Sequence, residues 1–529
     1  MGHPHIVLGS GPAGISCAVA LLAQGRQVLM IDGGSDLEPA SAQKLAALSA
    51  TPPDTWNRTA TQWMREGMQS DTTGIPLKLT YGSDYAFRIL PGGSSIEGKD
   101  INTRYSLGKG GLSTVWGTSV MPFRQHDIER WPVTAADLAP HYRAVLDFMP
   151  VAQAHDALEQ QFPTFKDSEP MPLSPQASAL LGHMQAHEPA LRAQGVTFGR
   201  SRLAVNSKAI GALGPCVRCG LCMYGCPYGL LYSSAQTVDA LRSNPNFRYA
   251  PGYIVQRVEE AGSEVRLHTL NPRGEAETLL AERAFVAAGV LASTAIMLRS
   301  LDLYDQPVTF ADSQYFLLPM LRLRSVPGFE RGNLHTLAQL FVELMDDTLS
   351  PNTIHLQTYT YNDLFEGPIA QKLGPASRFF PWQAFLSRLY LFQGYLHSDE
   401  SRSIEGRLER TATGDSLRLS SAPNAHTDAL LKKVISKLIK MRKLTGMVPL
   451  TPLMQRGDPG RGFHTGSSFP MAANPAGLET DVLGRLQGLQ RVHLVDSSVL
   501  PSIAATTITF TTMANAHRIG TLVGAGNAV

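Results

Sequence analysis

One glycine-rich turn near the N-terminus constrains the fold of this chain more than any other feature of its sequence. The apolar segment His5–Leu8 precedes the turn, and a helical pattern over Ile15–Gln24 follows it. A second apolar segment, Val28–Ile31, then ends at Asp32. The turn reads GSGPAG, with glycines at three spaced positions: Gly9, Gly11 and Gly14. This order of strand, GxGxxG turn, helix, strand and acidic residue predicts a dinucleotide-binding βαβ unit.

Each part of this unit has a physical task in holding a diphosphate. Gly9 permits the tight turn, Gly11 lets the backbone approach the pyrophosphate, and Gly14 lets the helix pack closely on the strand. The N-terminus of the helix offers free N–H groups and the positive end of its dipole to the phosphates. Asp32 is expected to accept hydrogen bonds from a ribose and to disfavour a 2′-phosphate. The motif alone leaves both FAD and NAD open.

Composition excludes several classes of protein. Of the 529 residues, 43% are hydrophobic and 17% are charged, and this balance excludes intrinsic disorder. The net charge of +2 gives no indication of nucleic acid or an acidic membrane as a partner. No apolar run approaches the roughly 18 residues of a membrane-spanning helix, and the N-terminus shows no secretory signal pattern. We therefore expect a cytoplasmic enzyme without a membrane span.

The middle of the chain predicts a second sheet. Phe316–Arg324, Leu337–Leu344 and Asn352–Tyr361 have strand-like character, and the last of them alternates clearly between apolar and polar residues. Thr427–Leu444 is an amphipathic helical pattern with lysines away from its apolar face. Such a helix can lie on a membrane surface, but packing on an antiparallel sheet is the interpretation we favour.

The predicted fold class is therefore α/β, with an α+β second domain. A Rossmann-like nucleotide-binding domain would comprise residues 1–300 and 450–529, with inserted segments that include a cysteine-rich loop at 214–229. It would be interwoven with a substrate-binding domain at residues 301–449, built on an antiparallel sheet with helices. A chain of 529 residues is long enough for several domain-sized units, and two interwoven domains are a common arrangement in large α/β enzymes.

Two further motifs accompany the N-terminal turn. A second glycine-rich loop, GKGGLSTVWG, begins at Gly108, and a C-terminal pair of segments reads FHTGSSFPM and VDSSVLPS. Together with GSGPAG, these motifs resemble the glucose–methanol–choline oxidoreductase family, which oxidises alcohols and sugars with FAD. The resemblance covers both ends of the chain well and the middle loosely. The sugar-oxidising branch, which includes pyranose oxidases, is the most similar because of GGLSTVW.

The resemblance implies roles for individual residues. The residues expected to contact FAD are Gly9, Gly11, Gly14 and Asp32 at the diphosphate and ribose, Gly110, Gly111, Ser113 and Thr114 at the isoalloxazine and ribityl chain, Val255 at adenine, and Asp496 at the diphosphate or ribityl chain. His464 matches the active-site histidine of the family. In this interpretation a hydride passes from the substrate carbon to flavin N5, while His464 removes the hydroxyl proton.

The chain departs from the family pattern at two positions. Some sugar oxidases tether the flavin through a histidine in the second glycine motif, where this chain has Val115. We therefore expect non-covalent FAD. The family usually has a second histidine or an asparagine at the start of the last helix, and this chain has Thr507 there. A hydroxyl can orient a substrate oxygen but is a poor base, so this departure puts the usual catalytic pair in doubt.

Four of the five cysteines lie within one loop. They are Cys216, Cys219, Cys222 and Cys226, in the spacing C-x2-C-x2-C-x3-C-P of bacterial ferredoxins. The fifth, Cys17, belongs to the nucleotide-binding helix and is expected to be a core residue. Three interpretations stay open: a [3Fe-4S] cluster on three of the four thiolates, a [4Fe-4S] cluster on all four, or zinc or no metal. A cluster would pass electrons singly to an external acceptor.

The predicted function is FAD-dependent oxidation of a hydroxyl group of a sugar or another alcohol. The expected partners are that small molecule and an external electron acceptor, either a protein or a quinone. Two rival functions remain: a redox-neutral flavin isomerase or epimerase, and a non-catalytic carrier of electrons between flavin and cluster. The absence of a second strong base at Thr507 favours the carrier, whereas the retained His464 opposes it.

Overall fold

The computed structural model describes residues 2–66, 69–70, 75–209, 214–330, 334–412 and 414–526. Within these ranges the strands are β1 (His5–Leu8), β2 (Val28–Asp32), β3 (Gln69–Ser70), β4 (Pro76–Leu77), β5 (Ser95–Lys99), β6 (Val196–Arg200), β7 (Phe247–Pro251), β8 (Ile254–Ala261), β9 (Glu264–Leu270), β10 (Ala276–Ala281), β11 (Arg283–Val286), β12 (Val308–Asp312), β13 (Tyr315–Arg322), β14 (Leu340–Leu344), β15 (Ile354–Tyr359), β16 (Leu389–Tyr395), β17 (Ser403–Thr411), β18 (Gly414–Ala422), β19 (Met447–Pro449), β20 (Gln455–Arg456), β21 (Thr465–Gly466) and β22 (Val492–Leu494). The helices are α1 (Pro12–Ala23), α2 (Pro39–Ser49), α3 (Arg58–Arg65), α4 (Ala135–Phe148), α5 (Pro175–Gln185), α6 (Glu188–Arg192), α7 (Ser234–Leu241), α8 (Val290–Ser300), α9 (Glu366–Leu373), α10 (Trp382–Leu386), α11 (Ala425–Lys440), α12 (Arg442–Thr445) and α13 (Ile508–Gly524).

A parallel sheet forms the nucleotide-binding part of the fold. Its strand order is β22-β11-β1-β2-β7, with β1 at the centre, and every residue of β1 is buried. A central parallel strand covered on both faces favours such an uninterrupted apolar run. The C-terminal helix α13 packs on α1, where a Cβ added at Gly520 would lie 2.9 Å from the carbonyl oxygen of Cys17. Cys17 is fully buried in this contact and is a core residue, as predicted.

The alternating patterns over Phe247–Glu260 and Glu264–Leu270 predict the two strands of one hairpin, but Phe247–Glu260 forms two strands in the structure. β7 pairs with β2 in the parallel sheet, whereas β8 pairs with β9 in a separate antiparallel sheet of three strands. Gly252 lies between them with a φ of 87°, a backbone conformation that glycine adopts without strain. The chain therefore leaves one sheet and enters the other at this residue, and the prediction of one continuous strand was wrong.

An antiparallel sheet of seven strands forms the second part of the fold. Its order is β19-β13-β16-β15-β14-β6, and β20 pairs with β13. Apolar residues of α11, including Leu431 and Val434, share one hydrophobic core with Leu318 and Leu356 of the sheet. The amphipathic helix thus covers the sheet, which is the interpretation that we favoured. β6 comes from the N-terminal half of the chain, and the division at residues 300 and 450 stays a prediction.

A third sheet of five strands, in the order β21-β12-β17-β18-β5, joins segments from both ends of the chain. In it β12 pairs with β21, which begins immediately after His464. The combination of a parallel sheet with antiparallel sheets and helices is the α/β class that the sequence predicted. Among the described helices we find none with the length and apolar character needed to cross a membrane.

Candidate active site

A cavity of about 400 Å³ begins at the glycine turn after β1 and ends between the parallel sheet and the seven-stranded sheet. Ligand pockets commonly have this size. Gly9 adopts a φ of 102°, and a Cβ added there would lie 2.4 Å from the carbonyl oxygen of Ala287. A Cβ added at Gly14 would lie 2.0 Å from the carbonyl oxygen of Gly9. These two glycines are therefore required by the packing of the chain itself.

Gly11 differs from its neighbours because its space is open. A Cβ there would meet only the Cα of Gly111, at 3.9 Å. Gly11 is the residue before α1, and no side chain caps this helix end. Gly11 and Gly111 approach each other closely, and the free N–H groups of the first turn lie beside them at the cavity wall, an arrangement that fits a diphosphate. The residues present thus fit a dinucleotide such as FAD.

Asp32 lies at the end of β2 in the wall of the cavity. Its carboxylate accepts hydrogen bonds from the hydroxyls of Ser10 and Tyr249, the latter at 2.7 Å. Burial raises the pKa of Asp32 to about 6, and the hydrogen bonds from Ser10 and Tyr249 oppose this rise. A carboxylate has about four lone-pair positions, so Asp32 can still accept hydrogen bonds from ribose hydroxyls.

The second glycine loop faces the first across the cavity. Gly111 and Ser113 line the cavity, whereas Gly110 and Thr114 hold the shape of the loop. The N–H of Gly110 donates to the Ser10 hydroxyl at 2.9 Å, and the Thr114 hydroxyl donates to the Gly111 carbonyl at 2.9 Å. The two glycine motifs are therefore joined directly by a hydrogen bond.

Val255 and Asp496 also line the cavity, as the sequence predicted for FAD contacts. Asp496 is 4% exposed, and burial raises its pKa. It accepts hydrogen bonds from the N–H of Gly289 at 3.0 Å and from the hydroxyl of Ser293 at 2.5 Å. This aspartate therefore holds the start of α8 against the cavity.

His464 and Thr507 lie together at the far end of the cavity. The ring of His464 stacks on the ring of Tyr395, with centroids 4.6 Å apart. Burial, and secondly the neighbouring His355, lower the pKa of His464 to about 3. Nδ1 of His464 and the hydroxyl of Thr507 are buried, and neither has a hydrogen-bond partner among the described residues. Thr507 immediately precedes α13 and makes no capping bond.

The loop that carries His464 is held by a buried carboxylate. Asp312 accepts hydrogen bonds from the N–H of Gly460 at 2.9 Å and from the hydroxyl of Thr465 at 2.8 Å. The N–H of Ser313 donates to the carbonyl oxygen of His464 at 3.0 Å. Burial raises the pKa of Asp312 to about 7. The position of the histidine is therefore fixed from both sides of its backbone.

Comparisons with known proteins agree with this geometry. Residues 5–73 match a family model described as an FAD binding domain. The fold matches pyridoxine 4-oxidase from Mesorbium loti, at 16% identity and a TM-score of 0.60 over 98% of both chains. It also matches formate oxidase, at 11% identity and a TM-score of 0.58, over 100% of this chain and 99% of that chain. This chain shares the fold of these two oxidases. Together with the match of its N-terminal segment to an FAD binding domain, this supports the predicted resemblance.

A characterised relative of this flavoprotein is the 6'''-hydroxyparomomycin C oxidase of Streptomyces lividus. The two are 26% identical over 312 residues, which cover 56% of this chain and 49% of the relative. The flavoprotein thus matches about half the length of that relative.

The cysteine loop of the flavoprotein lies beside the cavity but does not form a metal site in the described residues. Cys216 and Cys222 pack with apolar residues such as Leu203, and the Sγ of Cys226 accepts a hydrogen bond from the N–H of Leu230 at 3.3 Å. Burial, and secondarily the neighbouring cysteines, raise the pKa values of Cys216 and Cys219 to about 12. Throughout the ranges that the structure describes, no three His, Cys, Asp or Glu side chains are placed to hold a metal.

Sequence reasoning missed a group of polar residues on the seven-stranded sheet that face the cavity. They are Gln357, Tyr359, Gln393 and Tyr395, and behind them Glu343 accepts a hydrogen bond from His355 at 2.7 Å in a fully buried pair. The alternation of Asn352–Tyr361 showed that these side chains share one face of a strand. It did not show that this face covers a cavity rather than solvent.

Proposed function

We propose that this flavoprotein is an FAD-dependent oxidoreductase that oxidises a CH–OH group of a sugar or another alcohol. The observation that carries the proposal is the position of the neutral imidazole of His464, in the same cavity as the diphosphate cradle at Gly11. The relatives named above are oxidases by name, which supports the reaction class. When bound, FAD accepts the hydride that leaves the substrate carbon.

FAD is proposed to lie along the cavity without a covalent bond. Gly11 and the N-terminus of α1 would hold the diphosphate, Asp32 the ribose and Val255 the adenine. Gly111 and Ser113 would face the isoalloxazine, and Asp496 would lie near the ribityl chain or the diphosphate. Val115 lines the cavity and is not a residue that forms a flavin bond. Residues 1–300 and 450–529 would supply this half of the site, and residues 301–449 most of the substrate half.

His464 is the proposed base. A proton must leave the substrate hydroxyl as its carbon is oxidised, and a neutral imidazole can accept that proton. The low pKa of His464 keeps the ring neutral at ordinary pH, and the stack on Tyr395 fixes its orientation. The unpartnered hydroxyl of Thr507 is proposed to orient the substrate oxygen. Thr507 is a poor base, so proton transfer rests on His464 alone.

The rate of flavin reduction should be independent of pH between about pH 5 and 8. Because the pKa of His464 is lowered to about 3, the ring stays neutral, and therefore able to accept a proton, as the pH falls through this range. Anaerobic stopped-flow measurement of flavin reduction tests this. An acid limb near the ordinary histidine pKa that persists when the Asp312 carboxyl is removed would contradict the assignment. An Asp312→Asn variant is the control, because Asp312, with its pKa of about 7, is another group that titrates in this range.

Electrons are proposed to leave FAD directly for an external acceptor. A cluster on Cys216, Cys219, Cys222 and Cys226 has no support from the arrangement of these thiols, so no step is assigned to it. We expect protein purified under anaerobic conditions to contain stoichiometric FAD and iron far below one atom per chain. We also expect a Cys219→Ser variant to keep the flavin-reduction rate of the wild type. Stoichiometric iron and acid-labile sulfide would show this expectation to be wrong.

Product analysis tests the reaction class. Incubation with an alcohol or sugar that reduces the flavin should yield one carbonyl product per reduced FAD, and turnover should require an electron acceptor. Turnover to an isomer without any acceptor would instead identify a redox-neutral enzyme. Flavin that accepts electrons from dithionite but from no alcohol or sugar would identify an electron carrier.

A further inference from the structure

Two glutamines lie directly opposite each other on the sheet face that covers the cavity. β15 and β16 are antiparallel, and their register pairs Gln357 with Gln393. The next cross-strand pair on the same face is His355 with Tyr395. Residues two apart on a strand point to the same side, so Gln393 and Tyr395 share the face that lines the cavity. Tyr395 stacks on the ring of His464. The glutamine pair is therefore the neighbour, along the two strands, of the pair that contains the tyrosine beside the proposed base.

Hydrogen bonds within the sheet fix one end of each amide. The Oε1 of Gln357 accepts from the hydroxyls of Ser119 and Tyr359, both at 3.2 Å. The Nε2 of Gln393 donates to the hydroxyl of Tyr395 at 2.5 Å. Within the described chain these bonds leave the Nε2 of Gln357 and the Oε1 of Gln393 without a partner. The pair therefore presents an N–H donor and a carbonyl acceptor side by side.

Both amides are open to the cavity rather than enclosed by protein. Gln357 is 3% exposed and Gln393 is half-buried. A polar group in the cavity can therefore reach both free atoms, and it would gain hydrogen bonds that an apolar ligand lacks.

Hydrogen-bonding chemistry identifies that ligand group. A hydroxyl accepts from Gln357 and donates to Gln393 at the same time. An ammonium group can only donate, and a carboxylate can only accept and would meet the oxygen of Gln393. A methylene group satisfies neither amide. The pair thus matches a neutral hydroxyl better than an ammonium, a carboxylate or a methylene group.

We propose that Gln357 and Gln393 form a specificity subsite that binds a second, neutral hydroxyl of the substrate, next to the carbinol that His464 deprotonates. This inference rests on the proposed function and narrows it, because it requires at least two hydroxyls on one substrate. It excludes simple monohydric alcohols as preferred substrates. The subsite positions the substrate and takes no part in the proton or hydride transfer.

Matched probes that differ by one hydroxyl test the subsite. We would measure anaerobic flavin reduction by cyclohexane-1,2-diol against cyclohexanol, and by D-glucose against its 2-deoxy and 3-deoxy forms. The wild type should prefer the hydroxyl-bearing member of at least one pair by about tenfold or more, the size expected when the loss of one hydrogen bond leaves an amide unpaired. Gln357→Leu and Gln393→Leu should each bring that preference towards one. The rate with the probe that lacks the hydroxyl should change little.

A neighbouring residue provides the control for disturbance of the strand. Thr358 is adjacent to Gln357 but points to the opposite face and is fully buried, so Thr358→Val should keep the preference of the wild type. FAD content, measured for all variants, shows whether each has folded. The subsite would be overturned if the wild type reduced its FAD equally fast with both members of every pair, or if both leucine variants kept the preference of the wild type. Either result would leave the proposed function intact. If no probe reduces the FAD of the wild type, the proposed function fails, and the subsite with it.

Discussion

A His464→Ala variant is expected to bind FAD normally and to reduce it about 10²–10⁴-fold more slowly than the wild type with the same substrate. The substitution removes the neutral imidazole that accepts the hydroxyl proton. It leaves the diphosphate cradle at Gly11 unchanged, because His464 makes no contact with Gly11 that the structure records. Anaerobic stopped-flow absorbance would measure the reduction rate, and the absorbance ratio of flavin to protein would measure FAD content.

Two further variants make this result specific. His464→Gln keeps a hydrogen-bonding side chain but has no basic nitrogen, so it should be nearly as slow as the alanine variant. His426→Ala removes an exposed histidine at the start of α11 and should reduce FAD at the wild-type rate. A His464→Ala variant that reduces FAD as fast as the wild type would refute the assignment of the base.

The second large effect is expected at Gly11. A Gly11→Val variant should bind FAD with an affinity at least about tenfold lower than that of the wild type, a loss equivalent to about 1.4 kcal/mol of binding free energy. The φ of Gly11 is −66°, which any residue adopts, and a Cβ there meets only the Cα of Gly111 at 3.9 Å. The chain itself can therefore accept the side chain, whereas the added methyl groups would occupy the diphosphate cradle.

Equilibrium dialysis with FAD measures this loss, and circular dichroism shows whether the variant has folded. Gly182→Val in α5 is the matched control, because a Cβ at Gly182 meets nothing within 4 Å and Gly182 does not line the cavity. Gly182→Val should retain FAD. A Gly11→Val protein that is folded and saturated with FAD would place the cofactor elsewhere.

The nucleotide-binding unit was predictable because its determinants are local. The strand His5–Leu8 has the predicted bounds, and the glycine turn leads directly into α1. In such a unit the turn, the helix end and the acidic residue are within one short stretch of chain. The C-terminal motifs were predictable for a different reason, since the family resemblance placed His464 and Asp496 in the site without any knowledge of the sheet.

The substrate side was not predictable because it depends on long-range pairing. Gln357 and Gln393 are polar residues in alternating strands, and most such residues face solvent. Only the pairing of β15 with β16, and the position of that sheet over the glycine turns, brings them to the cavity. The continuous strand predicted over Phe247–Glu260 failed for a related reason, since apolar pattern does not reveal where a chain changes sheets.

The cysteine loop shows that the spacing of cysteines in a sequence is not sufficient to establish a metal site. The positions Cys216 to Cys226 match a ferredoxin run, but metal binding requires three or more donor atoms around one point. In the structure the cysteines contact different apolar residues, with Cys222 in one cluster and Cys219 in another. Sequence spacing therefore identified a compact loop beside the cavity, and its use as a ligand set stays a prediction without support from the described residues.

The central claim is that this chain holds FAD and reduces it with the hydroxyl group of a sugar or another alcohol. One anaerobic absorbance titration of the purified wild type tests it most directly. The account predicts flavin absorption bands that disappear when a polyol such as D-glucose or cyclohexane-1,2-diol is added, with formation of a carbonyl product. Protein that lacks flavin bands and fails to bind added FAD, or bound flavin that no sugar or alcohol reduces, would contradict it.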